Sequence, residues 1–132
     1  MKNVVIIGGG TGLSVMLRGM KNIKDVQLSA VVTVADDGGS TGRIRDAYNI
    51  PAMGDIRNVM CAMAEEEGLF AELMNYRFGG EGDIAGHNLG NLLLLALSQT
   101  TGSFMEAIRT FSRVLKVKGR IIPSTLEVVT LF

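Results

Sequence analysis

The sequence predicts an α/β fold of the Rossmann-like, three-layer kind, with a parallel sheet. Three observations predict it. Two β-branched runs, residues 4–7 and 28–35, each lead into a glycine-rich stretch. The residues between them carry apolar side chains at helical spacing. The 17 glycines among 132 residues cluster just after strand-like runs or just before helical ones. With 47% hydrophobic and 20% charged residues, the composition is that of a globular chain.

In order along the chain, the continuous run 4–7 reads as a strand covered on both faces, as parallel strands are. Residues 8–12 read as a turn. Residues 13–19 read as a short helix with Leu13, Met16, Leu17 and Met20 on one side, and 28–35 as a second strand. Strand, turn, helix and strand within this length make a right-handed βαβ unit. Residues 36–43 form a second glycine-rich loop. Asp55 stands where a residue would cap a helix running to about Glu66. Residues 69–78 suggest another helix, 79–90 a polar glycine-rich loop, and 92–99 an apolar helix. Ser103 with Glu106 is a capping box, and Phe104, Ile108, Phe111 and Leu115 share one face of the helix it opens. Gly119 ends that helix, residues 120–122 begin another strand, and 128–132 is a β-prone run without turn or cap. Residues 1–132 are therefore expected to be the amino-terminal part of a nucleotide-binding Rossmann-like domain, truncated at its carboxyl end.

Thirteen basic residues balance thirteen acidic ones, which excludes nucleic-acid binding driven by a broad positive field. The single cysteine, Cys61, excludes an internal disulfide or a cysteine-rich zinc site. The longest apolar run, 92–97, falls far short of the ~20 residues a spanning helix needs. These features lead us to expect a cytoplasmic protein without membrane insertion.

The first glycine turn follows a strand and opens a helix. The amides of Gly9, Gly10, Thr11 and Gly12 are thus placed to receive a phosphate at the positive end of a helix dipole. The dinucleotide fingerprint would need a small residue where Leu13 stands, which disfavours a nicotinamide dehydrogenase. A P-loop would need lysine where Leu13-Ser14 follows Gly12. Asp36 and Asp37 end the second strand, where α/β sheets bind ligands. They could take a ribose hydroxyl, hold Mg²⁺ together with Asp55, or simply cap turns, as Asp55 could cap its helix. The amides of Gly38 and Gly39, the Ser40 hydroxyl and the Arg43 guanidinium are candidate phosphate donors. Arg45 and Arg57 read equally as surface charges. His87 is the sole histidine, and with Asn88 and Asn91 it forms a third glycine-flanked motif suited to binding more than to acid–base work. No nucleophile or acid–base pair is legible, so no catalytic residue is assigned. Met16, Met53, Met60, Met63, Met74 and Cys61 read as core filler, and residues 65–67 as a solvated helix end.

Taken together and in this order, Gly8-Gly9-Gly10-Thr11-Gly12, Asp36-Asp37-Gly38-Gly39-Ser40-Thr41-Gly42-Arg43, Gly54-Asp55-Ile56-Arg57-Asn58 and Gly86-His87-Asn88-Leu89-Gly90-Asn91 resemble the gluconeogenesis factor family, also called the YvcK family. Pro123-Ser124-Thr125 also fits. That family is similar to the 2-phospho-L-lactate transferases of deazaflavin cofactor synthesis, whose Rossmann-like fold binds a nucleotide diphosphate donor and Mg²⁺. The resemblance implies metal ligation by Asp36 or Asp37 with Asp55, and we take Asp37 and Asp55 as the pair. Gluconeogenesis factors are associated with UDP-sugars such as UDP-N-acetylglucosamine, with carbon metabolism, and with cell shape and envelope. The expectation is a UDP-sugar-binding regulatory protein with a small-molecule nucleotide partner, its homo-oligomeric state open. The alternative is a Mg²⁺-dependent transferase of the 2-phospho-L-lactate type. Family members are longer, and the resemblance covers their amino-terminal half.

Overall fold

A computed structural model describes residues 1–35 and 39–129, and for residues 39–41, 45 and 46 the backbone alone. The elements run β1 (Lys2–Gly8), α1 (Gly10–Met20), β2 (Val26–Val32), α2 (Gly39–Tyr48), α3 (Gly54–Met63), α4 (Leu69–Met74), α5 (Leu89–Thr101), α6 (Phe104–Val114) and β3 (Arg120–Pro123). The three strands form one parallel sheet in the order β1-β2-β3. Val4 lies opposite Leu28 and Ile6 opposite Ala30, which in turn lies opposite Ile121. The expected βαβ unit is therefore present, with α1 as its crossover.

α1 and α3 pack on the sheet face that carries Leu28, Ala30, Val32 and Ile121, all buried. α3 is buried over most of its surface: Ile56, Val59, Met60, Cys61, Ala62 and Met63 all lie in the core, and only Asp55 and Asn58 are half-buried. Burying a side chain such as Leu17, Met60 or Met63 stabilises by roughly 1.5–3 kcal/mol each, before side-chain entropy is counted. α6 is the contrasting case. Phe104, Ala107, Ile108 and Phe111 are buried along one stripe, and the Ser103 hydroxyl accepts the Glu106 N–H at 3.2 Å. The Ser103 half of the expected capping box is present, whereas the Ser103 N–H bonds Thr101 Oγ1 and the Glu106 carboxylate pairs with Arg109.

Coverage of β1 differs from expectation. Val5 and Ile7 point away from α1 and α3 and are 59% and 77% exposed. In register with Ile7, Val31 is half-buried and Ile122 exposed. The unbroken β-branched run thus has one lined and one open face among the described residues, because α1 and α3 both lie on the same side.

Helix boundaries differ at several points. α1 starts within the glycines, at Gly10, and α5 starts at Leu89. Where a second glycine-rich loop was expected, residues 39–48 form α2, whose Ile44 is buried. Its small polar residues gave no helical period to read. α3 stops at Met63 rather than near Glu66, because Ala64 bridges Val117 and the Lys118 N–H bonds the Met63 carbonyl at 2.8 Å. α4 ends at Met74. β2 is read as strand only to Val32, although the Thr33 N–H still bonds the Gly8 carbonyl at 3.0 Å. Residues 124–129 are not strand, and 130–132 lie outside the described residues. Glu67 is not merely solvated, since it pairs with Arg18 at 2.8 Å and with Lys21 at 3.8 Å. Met53, Met60, Met63 and Met74 are core as expected, whereas Met16 is 54% exposed. Among the described residues no helix is long and apolar enough to cross a membrane.

Candidate functional site

The first glycine turn lies at the end of β1, where Gly9 is the extended N-cap residue of α1. A Cβ on Gly9 would overlap the Thr33 methyl and lie 2.9 Å from Asp55 Oδ2. Only a bare backbone fits there. Gly10 has φ +69°, which favours glycine, and a Cβ at Gly10 or Gly12 would meet nothing within 4 Å. One side of the turn is thus packed against β2 and α3, and the other is open. An anion approaching Gly10, Thr11 and Gly12 meets exposed backbone at the start of an eleven-residue helix.

Asp55 is not a cap. The cap residue of α3 is Met53, with no side-chain cap bond, and Asp55 falls within the first turn, half-buried, its carboxylate beside Gly9. A carboxylate there favours the helix dipole, yet it also places negative charge next to the backbone that would receive a phosphate. A divalent cation between carboxylate and phosphate would resolve that repulsion, and hard oxygen donors of this type suit Mg²⁺. Its expected partner Asp37 lies with Asp36 and Gly38 outside the described residues. Among the described residues no group of three His, Cys, Asp or Glu comes together.

Arg57 corrects the sequence reading most. It is 8% exposed rather than a surface charge, and it donates to Asn91 Oδ1 at 2.8 Å and Asn58 Oδ1 at 3.2 Å. Its side chain lies against Gly90. Asn91 is itself 1% exposed, and its N–H donates to the side chain of Asn88, the buried N-cap of α5. Asn91 thus ties the start of α5 to α3 through Arg57, and Asn88 caps α5; both were expected to bind ligand. The first and third motifs are joined through Asp55 and Arg57 of a single helix.

Arg43, expected to grip a phosphate, reaches across to the third motif. Its guanidinium donates to the carbonyls of Ala85 at 2.5 Å and Asp83 at 2.7 Å. It thereby fastens α2 to the glycine-rich loop of residues 79–87. Gly39 opens α2, and Ser40 lies in it with its side chain outside the described residues. His87 is half-buried, its N–H donating to the Ile84 carbonyl at 3.0 Å. Burial and then the nearby Arg43 charge lower its pKa from the usual 6.5, so the ring is neutral at pH 7. Burial pushes the Cys61 thiol up, outweighing Arg57, which makes it unsuited to nucleophilic work.

Thr33 escaped the sequence reading. It packs its methyl on Gly9 and stands beside Asp55, and the only signal was a hydroxyl inside an otherwise apolar strand end.

The profile of the 2-phospho-L-lactate transferase CofD family matches residues 4–132. A protein of Aquifex aeolicus named as a gluconeogenesis factor is 58% identical over 98% of this chain and 40% of its own length. The gluconeogenesis factors of Listeria monocytogenes and Bacillus subtilis are 52% and 50% identical, each over 92% of this chain and 38% of theirs. A crystal structure of a Bacillus halodurans protein superposes with a TM-score of 0.90 at 46% identity, covering 97% of this chain and 41% of that one. The chain therefore spans about 40% of the length of the curated relatives it matches. With its parallel sheet, its glycine turn against Asp55 and this match over nearly all of its residues, the chain belongs to the 2-phospho-L-lactate transferase CofD family, alongside the gluconeogenesis factors.

Proposed function

We propose that this chain supplies the phosphate-binding half of a nucleotide-sugar site in a regulatory protein of carbon metabolism, cell shape and envelope. The ligand is a UDP-sugar or another nucleotide diphosphate. The observation that carries this reading is the first turn itself, open at Gly10 and Gly12 and backed by Thr33 and Asp55. The diphosphate takes the amides of Gly9, Gly10, Thr11 and Gly12. The names of the relatives support the link to carbon metabolism.

The Asp55 carboxylate beside Gly9 favours a second reading. In a Mg²⁺-dependent transferase, Asp37 and Asp55 would hold the metal, which would neutralise charge on a leaving nucleotide phosphate.

Thermal melting with UDP-N-acetylglucosamine, GDP or NAD, each with and without Mg²⁺, tests both, using the full-length Bacillus subtilis relative as reference. A ligand at 100 times its dissociation constant stabilises by about 2.7 kcal/mol. A UDP-sugar shift independent of Mg²⁺ is the expected outcome. A shift only with Mg²⁺, abolished by Asp55→Asn, would replace the sensor with the transferase. The absence of any nucleotide shift in a folded chain and in the relative would overturn both.

A further inference from the structure

On the otherwise buried helix α3, Asp55 and Asn58 are the two half-buried side chains. Three residues apart, they are neighbours on one face, with Cβ atoms about 5–6 Å from each other. Asp55 turns its carboxylate to Gly9 of the glycine turn, so Asn58 stands one helical step from that turn.

Asn58 is held from within the core. Arg57 Nη2 donates to Asn58 Oδ1 at 3.2 Å, and Arg57 Nη1 donates to Asn91 Oδ1 at 2.8 Å. A guanidinium has donors and no acceptor, so only the oxygen of each amide can face it. The NH2 group of Asn58 is thereby turned away from Arg57. The guanidinium has little freedom to swing. Arg57 is 8% exposed, and its stem lies so close to Gly90 that a Cβ there would come within 2.8 Å of Arg57 Cδ. Asn91 is fixed in turn by its own N–H, which donates to Asn88 Oδ1 at 3.2 Å. A buried charge also polarises the amide it touches and strengthens that amide as a donor.

We propose that Asn58 is a ligand-binding residue of the glycine-turn site, donating its amide N–H to a phosphate oxygen of the nucleotide diphosphate, and that Arg57 is its positioning residue. This rests on the nucleotide reading above. An amide backed by a guanidinium suits an anionic oxygen, because the buried positive charge acts on the phosphate through the amide. A sugar hydroxyl would gain little from that charge. The same arrangement takes Asn58 out of any metal set. Mg²⁺ takes oxygen ligands, and the Asn58 oxygen already faces a cation. The two neighbours on α3 thus differ in role, with the carboxylate of Asp55 accepting and the amide of Asn58 donating.

Titration calorimetry of UDP-N-acetylglucosamine, UDP and GDP on the natural full-length protein that carries these residues tests it. Asn58→Ala should weaken about ten-fold each of these nucleotides that the parent binds, equally for UDP-N-acetylglucosamine and UDP, with the Mg²⁺ dependence of the parent. Asn58→Asp keeps an oxygen for Arg57 while removing the donor. It should melt close to the parent yet bind at least as weakly as Asn58→Ala, a split that a purely structural asparagine would not produce. Arg57→Met should weaken binding by a similar factor, and adding Asn58→Ala to it should weaken it little further, because the two residues act as one unit. A parent that binds none of the three nucleotides overturns the nucleotide reading, and this proposal with it. Binding by the parent that Asn58→Ala leaves unchanged overturns this proposal alone. A loss confined to UDP-N-acetylglucosamine, or a lost Mg²⁺ dependence, would overturn the phosphate assignment. Additive losses in the double variant would overturn the positioning role of Arg57.

Discussion

The start of α3 and the loop of residues 79–87 both meet the third motif, yet they are held in opposite ways. Around α3, Thr33 and Asp55 leave no room for a Cβ on Gly9, and Arg57 is enclosed by Asn58, Asn91 and Gly90. The loop is fastened from outside, by an exposed Arg43 donating to two backbone carbonyls. Close packing tolerates no displacement, whereas a few solvent-facing hydrogen bonds can exchange with water at small cost. A close-packed glycine turn thus stands beside an adjustable wall.

Four changes would break or sharpen that contrast. The largest effect is expected from Gly9→Ala, whose Cβ must displace Thr33 or Asp55. Overpacking of this kind costs about 3 kcal/mol, read as a lower urea midpoint. Adding Thr33→Ser, which deletes the offending methyl, should recover part of the loss, and no recovery would mean that Thr33 is not the contact that matters. Next, Arg57→Met should cost about 2 kcal/mol, because the buried Asn91 Oδ1 loses its charged donor. An unchanged midpoint would show that α3 and α5 are joined by packing alone.

Arg43→Ala should cost below about 1 kcal/mol, yet speed amide exchange across residues 79–87. Arg43→Lys should restore little, since one ammonium cannot reproduce the fork to two carbonyls. Equal exchange in parent and variant would break the clamp assignment. The smallest effect concerns pH. Because the His87 pKa is lowered in the folded state, the unfolded chain takes up the proton first. Stability should fall as pH drops below about 6.5 and through the folded value, and be fully present above it. NMR titration of His87 in Arg43→Ala should show the pKa rising towards 6.5 without reaching it, since burial remains. A flat titration shift would show that the Arg43 charge does not reach the ring.

Much of the fold was legible in the sequence because its signals are local. The β-branched runs, the glycine turn after the first and the Ser103 cap of α6 depend on neighbours in the chain, and each appears in the structure. What could not be read depends on distant partners. Asp55 had the sequence position of a cap, but the cap fell to Met53 and the carboxylate turned to Gly9. Arg57 had the composition of a surface charge, and only the packing of α3 against α5 shows it buried beside Asn91. That Arg43 also reaches the carbonyls of Asp83 and Ala85, some 40 residues along the chain, could not be read from its own loop. α2 was missed because Gly39, Ser40, Thr41 and Gly42 are poor helix formers, and tertiary context overrode propensity.

The sheet's pairing has a kinetic consequence. β1 meets β2 across a short crossover, Lys2 opposite Val26, whereas β2 meets β3 across most of the chain, Ser29 opposite Arg120. Closing the longer loop costs about 1 kcal/mol more in chain entropy, and every helix from α2 to α6 must be in place to reach it. We expect the first βαβ unit to form early and β3 to dock last, so that substitutions at Ile6 slow folding while substitutions at Ile121 chiefly speed unfolding. The glycine turn, which is packed by β1, the end of β2 and α3, would then be assembled before β3 docks.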